Sequence, residues 1–509
     1  METPLVINDF LARAEVAYGD RVAVIDEADQ PAPSLGDLTW TEFAERSRGH
    51  AAWLDYLGVP VGGRVAIISQ NSARMLLSFF GVCGSGRVLV PINFRLVEEE
   101  IAYIVEHSGA EVLLVDPELV NHVAGIGHPR VVVLGDDDDL VYGLGRTPEP
   151  WTRDEAATAT INYTSGTTAR PKGVQLTHRN LWINAVTFSL HLGVSDRDIY
   201  LHTLPLFHVN GWGVPFGLTG MGGSHIVLRK VDGAEILRRI DEHGVTLLCG
   251  APAVISMILE AAAEWEGPIP GRDRVRVVVA GAPPPTTVIE AVEMTLGWEF
   301  IQIYGLTETS PLLTMNRRRA EYDDLTPNER ARLLGRAGTP SLGTALDLSA
   351  DGEVLARSST VLEAYWDNHA ATEEALEGGW FHTGDGGTIS ADGYLSITDR
   401  KKDVIITGGE NVSSIEVEDA LLHHPAIREV AVIGIPDEQW GELVTALVVT
   451  DGSAVSAEEI VAFSRQHLAG YKIPRKVLFR DELARTATGK LQKAKLREPF
   501  WSGSDRQVH

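Results

Sequence analysis

Short apolar runs rich in valine, isoleucine and leucine recur along most of the chain, and longer amphipathic stretches separate them. Such runs occupy residues 64–68, 88–92, 112–116, 245–248 and 275–279. A continuous apolar run of this length is typical of a strand that is buried on both faces. Strands of this kind that alternate with helices form parallel sheets with helices on both sides. The pattern therefore predicts an α/β fold of layered, parallel-rich sheets.

The pattern changes beyond residue 399, where helix and strand signals no longer alternate one by one. Two helices and two strands are predicted there, as helix 414–423, strand 429–435, strand 444–450 and helix 457–468. This order is typical of a compact α+β unit. We therefore predict two domains, which we call the large region (residues 1–399) and the small region (residues 400–509).

Two further stretches carry charge without a strand pattern. Residues 317–336 are rich in charged side chains, and we expect an exposed helical excursion there. Residues 136–139 are four consecutive aspartates, which could hold a cation but are more typical of a solvated loop.

The charge balance narrows the classes of partner. The chain has 509 residues, with 70 acidic and 44 basic side chains, and its formal net charge is −26. A nucleic-acid-binding protein neutralises phosphates with a basic surface, and docking on an anionic membrane needs the same. We therefore expect neither partner, and any polyanionic ligand must meet cations that are placed locally.

The cysteines and the N-terminus indicate the compartment. Cys83 and Cys249 both lie in apolar surroundings, and two cysteines cannot form a disulfide framework or a structural zinc site. The N-terminus lacks the pattern of a signal peptide, and no apolar run approaches the roughly 20 residues of a membrane span. We expect a cytoplasmic protein with buried free thiols.

Residues 163–174 form the most informative stretch of the chain. They follow an apolar run and combine hydroxyl side chains, two glycines and a lysine. Backbone N–H groups, hydroxyls and an ammonium group are the donors that phosphate oxygens accept, so the stretch predicts a phosphate-binding loop. Its members are Thr164, Ser165, Gly166, Thr167, Thr168 and Lys172. The stretch is not a Walker loop, because no Gly-Lys-Ser/Thr sequence opens a helix here.

This stretch and six later segments resemble, in order, the motifs of the adenylate-forming superfamily of acyl-CoA synthetases, luciferases and peptide-synthetase adenylation domains. The later segments are 204–211, 281–283, 302–308, 380–385, 399–411 and 485–490. The resemblance covers nearly the whole chain. It implies a large N-terminal domain with a small β-barrel part, and a mobile C-terminal domain that turns about a hinge at Lys402.

The resemblance also implies an activity. An acyl-CoA ligase would join a carboxylic acid to ATP as an acyl-adenylate and would then pass the acyl group to coenzyme A, using ATP/AMP, Mg²⁺ and CoA. It implies catalytic roles for Lys490, for Thr307 at the α-phosphate, for Glu308 as the metal ligand and for His208 beside the acyl carbonyl.

The remaining matched positions divide into two sets. The nucleotide and CoA set comprises the phosphate loop and its lysine together with Gly281, Ala282, Pro283, Gln302, Tyr304, Gly305, Asp385, Arg400, Lys402, Gly408 and Gly409. The predicted acyl pocket comprises Asn210, Gly211, Trp212, Val214, Ala280, Leu306 and Thr309. Small residues near this pocket leave space for a bulky hydrophobic, fatty or aromatic acid. The acid itself and the oligomeric state are not readable from the sequence.

One departure from the family pattern opens an alternative. The family carries glycine after the paired threonines of the phosphate loop, whereas this chain has Ala169 followed by Arg170. A Cβ there could obstruct pyrophosphate, because glycine alone reaches positive φ freely. The alternative is an enzyme that only performs thioesterification, from preformed acyl-adenylate and CoA. A scaffold built on an inactive enzyme and a luciferase-like oxygenase are weaker alternatives.

Overall fold

The computed structural model describes residues 3–128, 130–164, 170–400, 403–408, 410–437, 440–486 and 490–501, without the side chain of Arg400. The α-helices in this part of the chain are α1 Asn8–Tyr18, α2 Trp40–Tyr56, α3 Ala73–Gly81, α4 Glu98–Ser108, α5 Asp138–Val141, α6 His178–Leu192, α7 Val214–Met221, α8 Gly233–His243, α9 Pro252–Ala263, α10 Thr286–Ala291, α11 Pro327–Leu334, α12 His369–Ala375, α13 Ser414–Leu422, α14 Ala457–Ser464 and α15 Lys493–Trp501.

The strands are β1 Val22–Ile25, β2 Asp37–Thr39, β3 Arg64–Ile68, β4 Val88–Ile92, β5 Ala110–Val115, β6 Val131–Val133, β7 Thr158–Thr164, β8 Lys172–Thr177, β9 Ile199–Leu201, β10 Ser224–Ile226, β11 Leu247–Gly250, β12 Arg276–Val279, β13 Glu299–Gly305, β14 Leu312–Arg317, β15 Thr339–Pro340, β16 Thr344–Leu348, β17 Glu353–Ser358, β18 Ala364–Tyr365, β19 Phe381–Ile389, β20 Leu395–Arg400, β21 Ile405–Thr407, β22 Glu410–Val412, β23 Ile427–Asp437, β24 Gly441–Thr450 and β25 Lys476–Phe479.

Two parallel-rich sheets form most of the large region. The first has nine strands in the order β15-β14-β13-β12-β11-β9-β10-β1-β2, and the second has seven in the order β18-β8-β7-β4-β3-β5-β6. The central strands of each sheet are parallel, and antiparallel strands lie at the ends. The predicted α/β architecture is confirmed.

The strand predictions are accurate where both faces of a strand are buried. The runs at 64–68 and 88–92 are β3 and β4 to the residue, whereas the run at 245–248 lies two residues before the observed β11. Val245 directly follows the left-handed glycine that ends α8, and pairing with β12 starts only at Leu247. The register then continues to Gly250, which an apolar pattern alone does not mark.

The part predicted as a small β-barrel consists, in the described residues, of the antiparallel four-stranded sheet β16-β17-β19-β20. Its last strand leads into the small region. There β22, β21, β24 and β23 form a second antiparallel sheet, and β25 adds to β24 in parallel. Helices α13 and α15 pack on β23, which gives the α+β unit that the sequence predicts.

Stretch 317–336 is only partly the exposed excursion that we expected. It is helical at α11, but Tyr322, Ala331 and Leu334 are buried and pack into the core beneath the nine-stranded sheet. Arg330 is also buried, because it pairs with Glu293 and donates to backbone carbonyls. The charged sequence did not indicate this burial, because arginine is usually exposed and can be buried only when its guanidinium group is hydrogen-bonded.

The structure gives Asp138 of the aspartate run and both cysteines structural roles. Asp138 forms an ion pair with the buried Arg74 and accepts from the backbone N–H of Gly135. Both cysteines are buried free thiols, as predicted, and burial raises the pKa of each to about 12. Neither thiol is therefore a thiolate nucleophile at neutral pH.

Candidate active site

The predicted site residues follow the carboxyl ends of parallel strands. Thr164 ends β7, Gly281 follows β12, and Gly305 ends β13 just before Glu308. In open α/β sheets, ligands bind at this edge, where loops replace the ends of the strands. The fold therefore gathers motifs that are far apart in the sequence.

The phosphate loop is described at its two ends. Ser165, Gly166, Thr167, Thr168 and Ala169 lie outside the described residues. The antiparallel register of β7 and β8 places Thr164 opposite Lys172. The Nζ atom of Lys172 lies 4.9 Å from the centroid of the Tyr365 ring, which is a cation–π contact.

Glu308 lies in a short 3₁₀ turn, Thr307–Thr309, that directly follows β13. The chain must bend sharply here, and a Cβ on Gly305 would lie only 1.6 Å from the carbonyl oxygen of Pro311, so only glycine fits. The hydroxyl of Thr309 accepts from the backbone N–H of Leu306 and so closes the turn. Thr309, predicted to line the acyl pocket, is fully buried in this role.

The hydroxyl of Tyr365 donates a hydrogen bond of 2.9 Å to Oε1 of Glu308. The backbone N–H of Leu362 also donates to the carbonyl oxygen of Glu308, at 2.7 Å. These two bonds fix the carboxylate and its backbone to the chain segment that leads into β18.

Asp385 lies on β19, directly opposite Arg400 on β20. It is buried, and the hydroxyl of Tyr304 donates to its Oδ2 at 2.8 Å. Two predicted nucleotide residues thus contact each other, one from each of two sheets. A carboxylate held in this way can accept from ribose hydroxyls.

Gln302 fits a bound nucleotide base. Its side chain is buried, and Oε1 is a buried acceptor without a hydrogen-bond partner in the described residues. A buried acceptor of this kind costs free energy unless a ligand supplies a donor, and an adenine amino group is such a donor. The residues present therefore fit the base and the ribose of a nucleotide.

Lys490 of the small region reaches the large region beside Gly281. A Cβ on Gly281 would lie 3.1 Å from Cε of Lys490, and Gly281 has a φ of 97° that disfavours any side chain. His208 is close enough that desolvation and the positive charge of Lys490 both lower the pKa of the imidazole. His208 is therefore neutral at pH 7, and the cation at this place is Lys490.

The predicted acyl-pocket residues lie in a closely packed part of the large region. Trp212, Val214 and Ala280 belong to one buried hydrophobic cluster. Asn210 is fully buried and donates its amide to Thr160 and Asn162, so its role in the structure is a buried hydrogen-bond network. Gly211 has a φ of 59° within the same tight turn.

The predicted CoA-side residues are described in part. Lys402 and Gly409 lie outside the described residues, as does the side chain of Arg400. Gly408 has a φ of 59° next to the β21–β22 pair, and its missing Cβ would lie 2.9 Å from the Trp440 ring. This agrees with close backbone packing at a hairpin.

Sequence reasoning missed two residues that hold the site together. Tyr365 contacts both Lys172 and Glu308, and the only sequence signal was the aromatic pair Tyr365-Trp366 ahead of a helix. Asp419 on α13 accepts from the backbone N–H and the hydroxyl of Thr286, at 3.0 Å each, and so joins the small region to the first turn of α10. A lone acid in an amphipathic helix carries no such signal.

The donor set limits how Mg²⁺ could bind. The described residues contain no group of three or more His, Cys, Asp or Glu side chains arranged to hold a metal ion. Glu308 supplies a single carboxylate, and Mg²⁺ is often held by one or two carboxylates together with substrate phosphates and water. The site therefore fits Mg²⁺ that arrives with a nucleotide. In the described part of the chain, none of the helices is both long and apolar enough to cross a membrane.

Two family models match the chain. The model of the AMP-binding enzyme matches residues 11–366, and the model of the AMP-binding enzyme C-terminal domain matches residues 416–490. These matches include all the motif positions named above except those between 367 and 415.

Related proteins match along almost their full lengths. Probable acyl-activating enzyme 10 of Arabidopsis thaliana is 36% identical, over 97% of both chains. The 2-methylpropanoate–CoA ligase CCL4 of Humulus lupulus is 36% identical, over 97% of this chain and 95% of its own. The crystal structure of the anthranilate CoA ligase AuaEII with anthranoyl-AMP has a TM-score of 0.87 at 27% identity, over 98% of this chain and 99% of its own.

Proposed function

The chain belongs to the AMP-binding enzyme family and is an acid–thiol ligase, and we propose that it converts a bulky hydrophobic carboxylic acid to its CoA thioester through an acyl-adenylate. One observation carries the proposal most directly. Lys490 from the small region lies against Gly281 and near His208 of the large region.

The first half-reaction activates the acid. A carboxylate oxygen attacks the α-phosphorus of ATP, the bond to the bridging oxygen breaks, and pyrophosphate leaves. The positive charge of Lys490 stabilises the negative charge that gathers between the carboxylate and the phosphate. Thr307 donates to the α-phosphate, Lys172 meets the outer phosphates, and Asp385 accepts from the ribose. Bound Mg²⁺, held at Glu308, would supply further positive charge to the phosphates.

The second half-reaction needs room for a thiol. The sulfur of CoA attacks the acyl carbonyl carbon, the thiol proton passes to solvent, and AMP leaves with its bond to the acyl group broken. The same space cannot hold Lys490 and the thiol. We propose that the small region turns about Lys402, which breaks the contacts of Asp419 with Thr286 and brings the Gly408–Gly409 loop towards the pantetheine.

The proposed substrate class rests on the relatives. The glycines that we expected to leave space, at 211, 213, 281 and 305, do not support it, because neighbouring atoms lie within 3.1 Å of an added Cβ at each of them. The relatives are named for 2-methylpropanoate and anthranilate, which are a short branched acid and an aromatic acid. We also propose a cytoplasmic site of action, for which the two buried free thiols are the support.

The thioesterification-only alternative rested on Ala169, which lies outside the described residues. The full reaction is favoured over it, because relatives that match along almost their full lengths are named as an acyl-activating enzyme and a CoA ligase. Lys490, whose role belongs to adenylation, also lies within the assembled site.

The test measures the two half-reactions separately on the full chain. A panel of acids, such as 2-methylpropanoate, decanoate, benzoate and anthranilate, is incubated with ATP and Mg²⁺, and pyrophosphate release is followed before and after addition of CoA. Mass spectrometry identifies acyl-AMP and acyl-CoA. We expect pyrophosphate from at least one bulky acid and its CoA thioester after CoA is added.

Ala169→Gly is the matched variant for this experiment. We expect its pyrophosphate release to stay within about twofold of the unaltered chain, because under the proposed function the phosphate loop already works with alanine at this position. If the unaltered chain releases no pyrophosphate but converts synthetic acyl-AMP and CoA to the thioester, and if Ala169→Gly restores release, the alternative is correct.

A further inference from the structure

Tyr365 lies between two groups of opposite charge. The ammonium of Lys172 lies over the face of its ring, 4.9 Å from the centroid, and the carboxylate of Glu308 accepts from its hydroxyl at 2.9 Å. One side chain thus holds a cation through its π face and an anion through its polar tip. Tyrosine is the residue type that can do both, because its ring face is negative and its hydroxyl is a donor.

The backbone dictates this placement. Strand β18 pairs with β8 in antiparallel fashion, and Tyr365 lies opposite Val174. Lys172 is two residues from Val174 along β8, so its side chain lies on the same face of the sheet and diagonal to Tyr365. The hydroxyl oxygen of Thr372, on α12, accepts from the backbone N–H of Tyr365 at 3.0 Å, which fixes the end of the strand.

Glu308 reaches the same tyrosine from another sheet. The turn that carries it follows β13, and two hydrogen bonds tie that turn to the segment before β18. Leu362 N–H donates to the carbonyl oxygen of Glu308, and the hydroxyl of Ser310 donates to the carbonyl oxygen of Thr360. The phenol therefore joins the ends of two sheets.

The two partners of the tyrosine do not pair with each other. Lys172 and Glu308 are both half-buried, and an ammonium and a carboxylate in such a setting attract each other strongly. Yet these two residues, both fully described, form no direct ion pair with each other. A direct pair would neutralise both groups and would remove them from a phosphate ligand.

We propose that Tyr365 is a positioning residue that holds Lys172 and Glu308 apart and ready, so that both meet the outer phosphates of ATP and the accompanying Mg²⁺. The inference rests on the proposed function, because that function assigns these two residues to the phosphates and the metal. It adds a residue that acts through them and does not itself touch the reacting atoms.

Two substitutions separate the two halves of this role. Tyr365→Phe keeps the ring under Lys172 but releases Glu308, whereas Tyr365→Leu removes both contacts. The test measures the Mg²⁺ concentration that half-saturates pyrophosphate exchange. It also measures, by calorimetry, the binding of ATP in EDTA, of ATP with Mg²⁺, and of AMP.

For Tyr365→Phe we expect the half-saturating Mg²⁺ concentration to rise about ten- to a hundredfold, which corresponds to loss of one hydrogen bond to a charged group. ATP binding in EDTA should stay unchanged. For Tyr365→Leu we expect ATP binding in EDTA to weaken as well, by about three- to tenfold, since the cation–π contact is also lost. AMP binding and thioesterification of synthetic acyl-AMP should stay unchanged in both variants.

Tyr18→Phe is the matched control. Tyr18 also carries guanidinium groups over its ring, those of Arg13 and Arg21, and its hydroxyl also takes part in a hydrogen bond, but it lies on α1. We expect this variant to match the unaltered chain in every measurement. If Tyr365→Leu does not fold, the isosteric Tyr365→Phe decides alone.

Unchanged Mg²⁺ dependence in Tyr365→Phe would overturn the inference, and so would equal weakening of ATP and AMP binding, which is the mark of a general structural defect. Failure of the proposed function has a different signature: the unaltered chain then shows no pyrophosphate exchange with any acid.

Discussion

The large and small regions share no hydrophobic cluster among the described residues. Five clusters consist of residues from Ile7 to Ile397, and two consist of residues from Ile405 to Phe500. Several contacts that cross from one region to the other are polar, as in the hydrogen bonds of Asp419 with Thr286 and of Asp399 with Ser414. Polar groups can exchange these bonds for water, whereas a shared apolar core could not open cheaply.

The two regions also supply different parts of the site. In the large region, Glu308 and Asp385 are each held by a tyrosine hydroxyl, so these carboxylates are positioned before a ligand arrives. Among the described side chains, the small region supplies Lys490 from outside the sheets. Under the proposed function, the comparison teaches that the large region holds its binding groups in place before the ligand arrives, whereas the small region brings the catalytic cation to them.

Removing the delivered cation should produce the largest effect. We expect Lys490→Ala to slow pyrophosphate release by roughly a hundredfold to a thousandfold, because a preorganised charge at the transition state is worth that much. Thioesterification of synthetic acyl-AMP should change less than about twofold. Single-turnover measurements of each half-reaction test this.

Lys495→Ala is the control for this change, because Lys495 is exposed on α15 in the same region. It should behave as the unaltered chain does. Equal losses in both half-reactions of Lys490→Ala would contradict the division of labour between the regions.

The sequence predicted the groups that the proposed function assigns to binding, but not the residues that position them. The motif strings carried Glu308, Asp385 and Lys490, since each lies in a dense local pattern, and strands β3 and β4 were readable because both of their faces are buried. Tyr365 was not readable, because its role depends on the pairing of β18, a strand of two residues, with β8. Such a register is set by tertiary contacts and leaves no periodicity in the sequence.

The same limit applies between the regions. Asp419 is one of several acids in α13, and nothing in the sequence separates it from Glu416, which instead pairs with Lys472 within the small region. Only the hydrogen bonds from Thr286, at the start of α10, make the difference. The presence of Lys490 at the proposed site was therefore predictable from its motif, but the contacts that hold the small region there were not.

Breaking the polar contact between the regions should produce an intermediate effect. We expect Asp419→Ala to slow pyrophosphate release about five- to tenfold, since hydrogen bonds from the backbone and hydroxyl of Thr286 to a charged group are lost. Thioesterification should be unchanged or faster, because the small region leaves the adenylation position more easily. Stopped-flow measurement of each half-reaction tests the prediction.

Glu416→Ala is the matched control, since it removes an acid from the same helix whose ion pair stays within the small region. It should leave the balance of the two half-reactions unaltered. A uniform slowing of both half-reactions in Asp419→Ala would mean that this contact only supports the fold.

The last expected effect concerns stability and not turnover: the core of the large region should be sensitive to acid. His50 is fully buried, and both of its ring nitrogens are without a hydrogen-bond partner in the described residues. Burial, with the charge of Arg87 acting in the same direction, lowers its pKa to about 3. The unfolded chain binds a proton at this histidine below about pH 6.5, whereas the folded chain does not until near pH 3.

The free energy of unfolding should therefore fall as the pH is lowered from 7 to 5, with about 2 kcal/mol of the loss at pH 5 due to His50. Above pH 6.5 this contribution is fully present as stability. His50→Phe and His50→Leu both remove the titrating ring. Each should therefore lower the slope of the free energy of unfolding against pH, between pH 7 and pH 5, by the equivalent of up to one bound proton, whatever the substitution costs in packing. Urea unfolding at the two pH values measures the difference. An unchanged pH dependence in both variants would show that the folded core accommodates the protonated ring. The core of the large region would then not be the closed apolar interior that distinguishes it from the polar boundary between the regions.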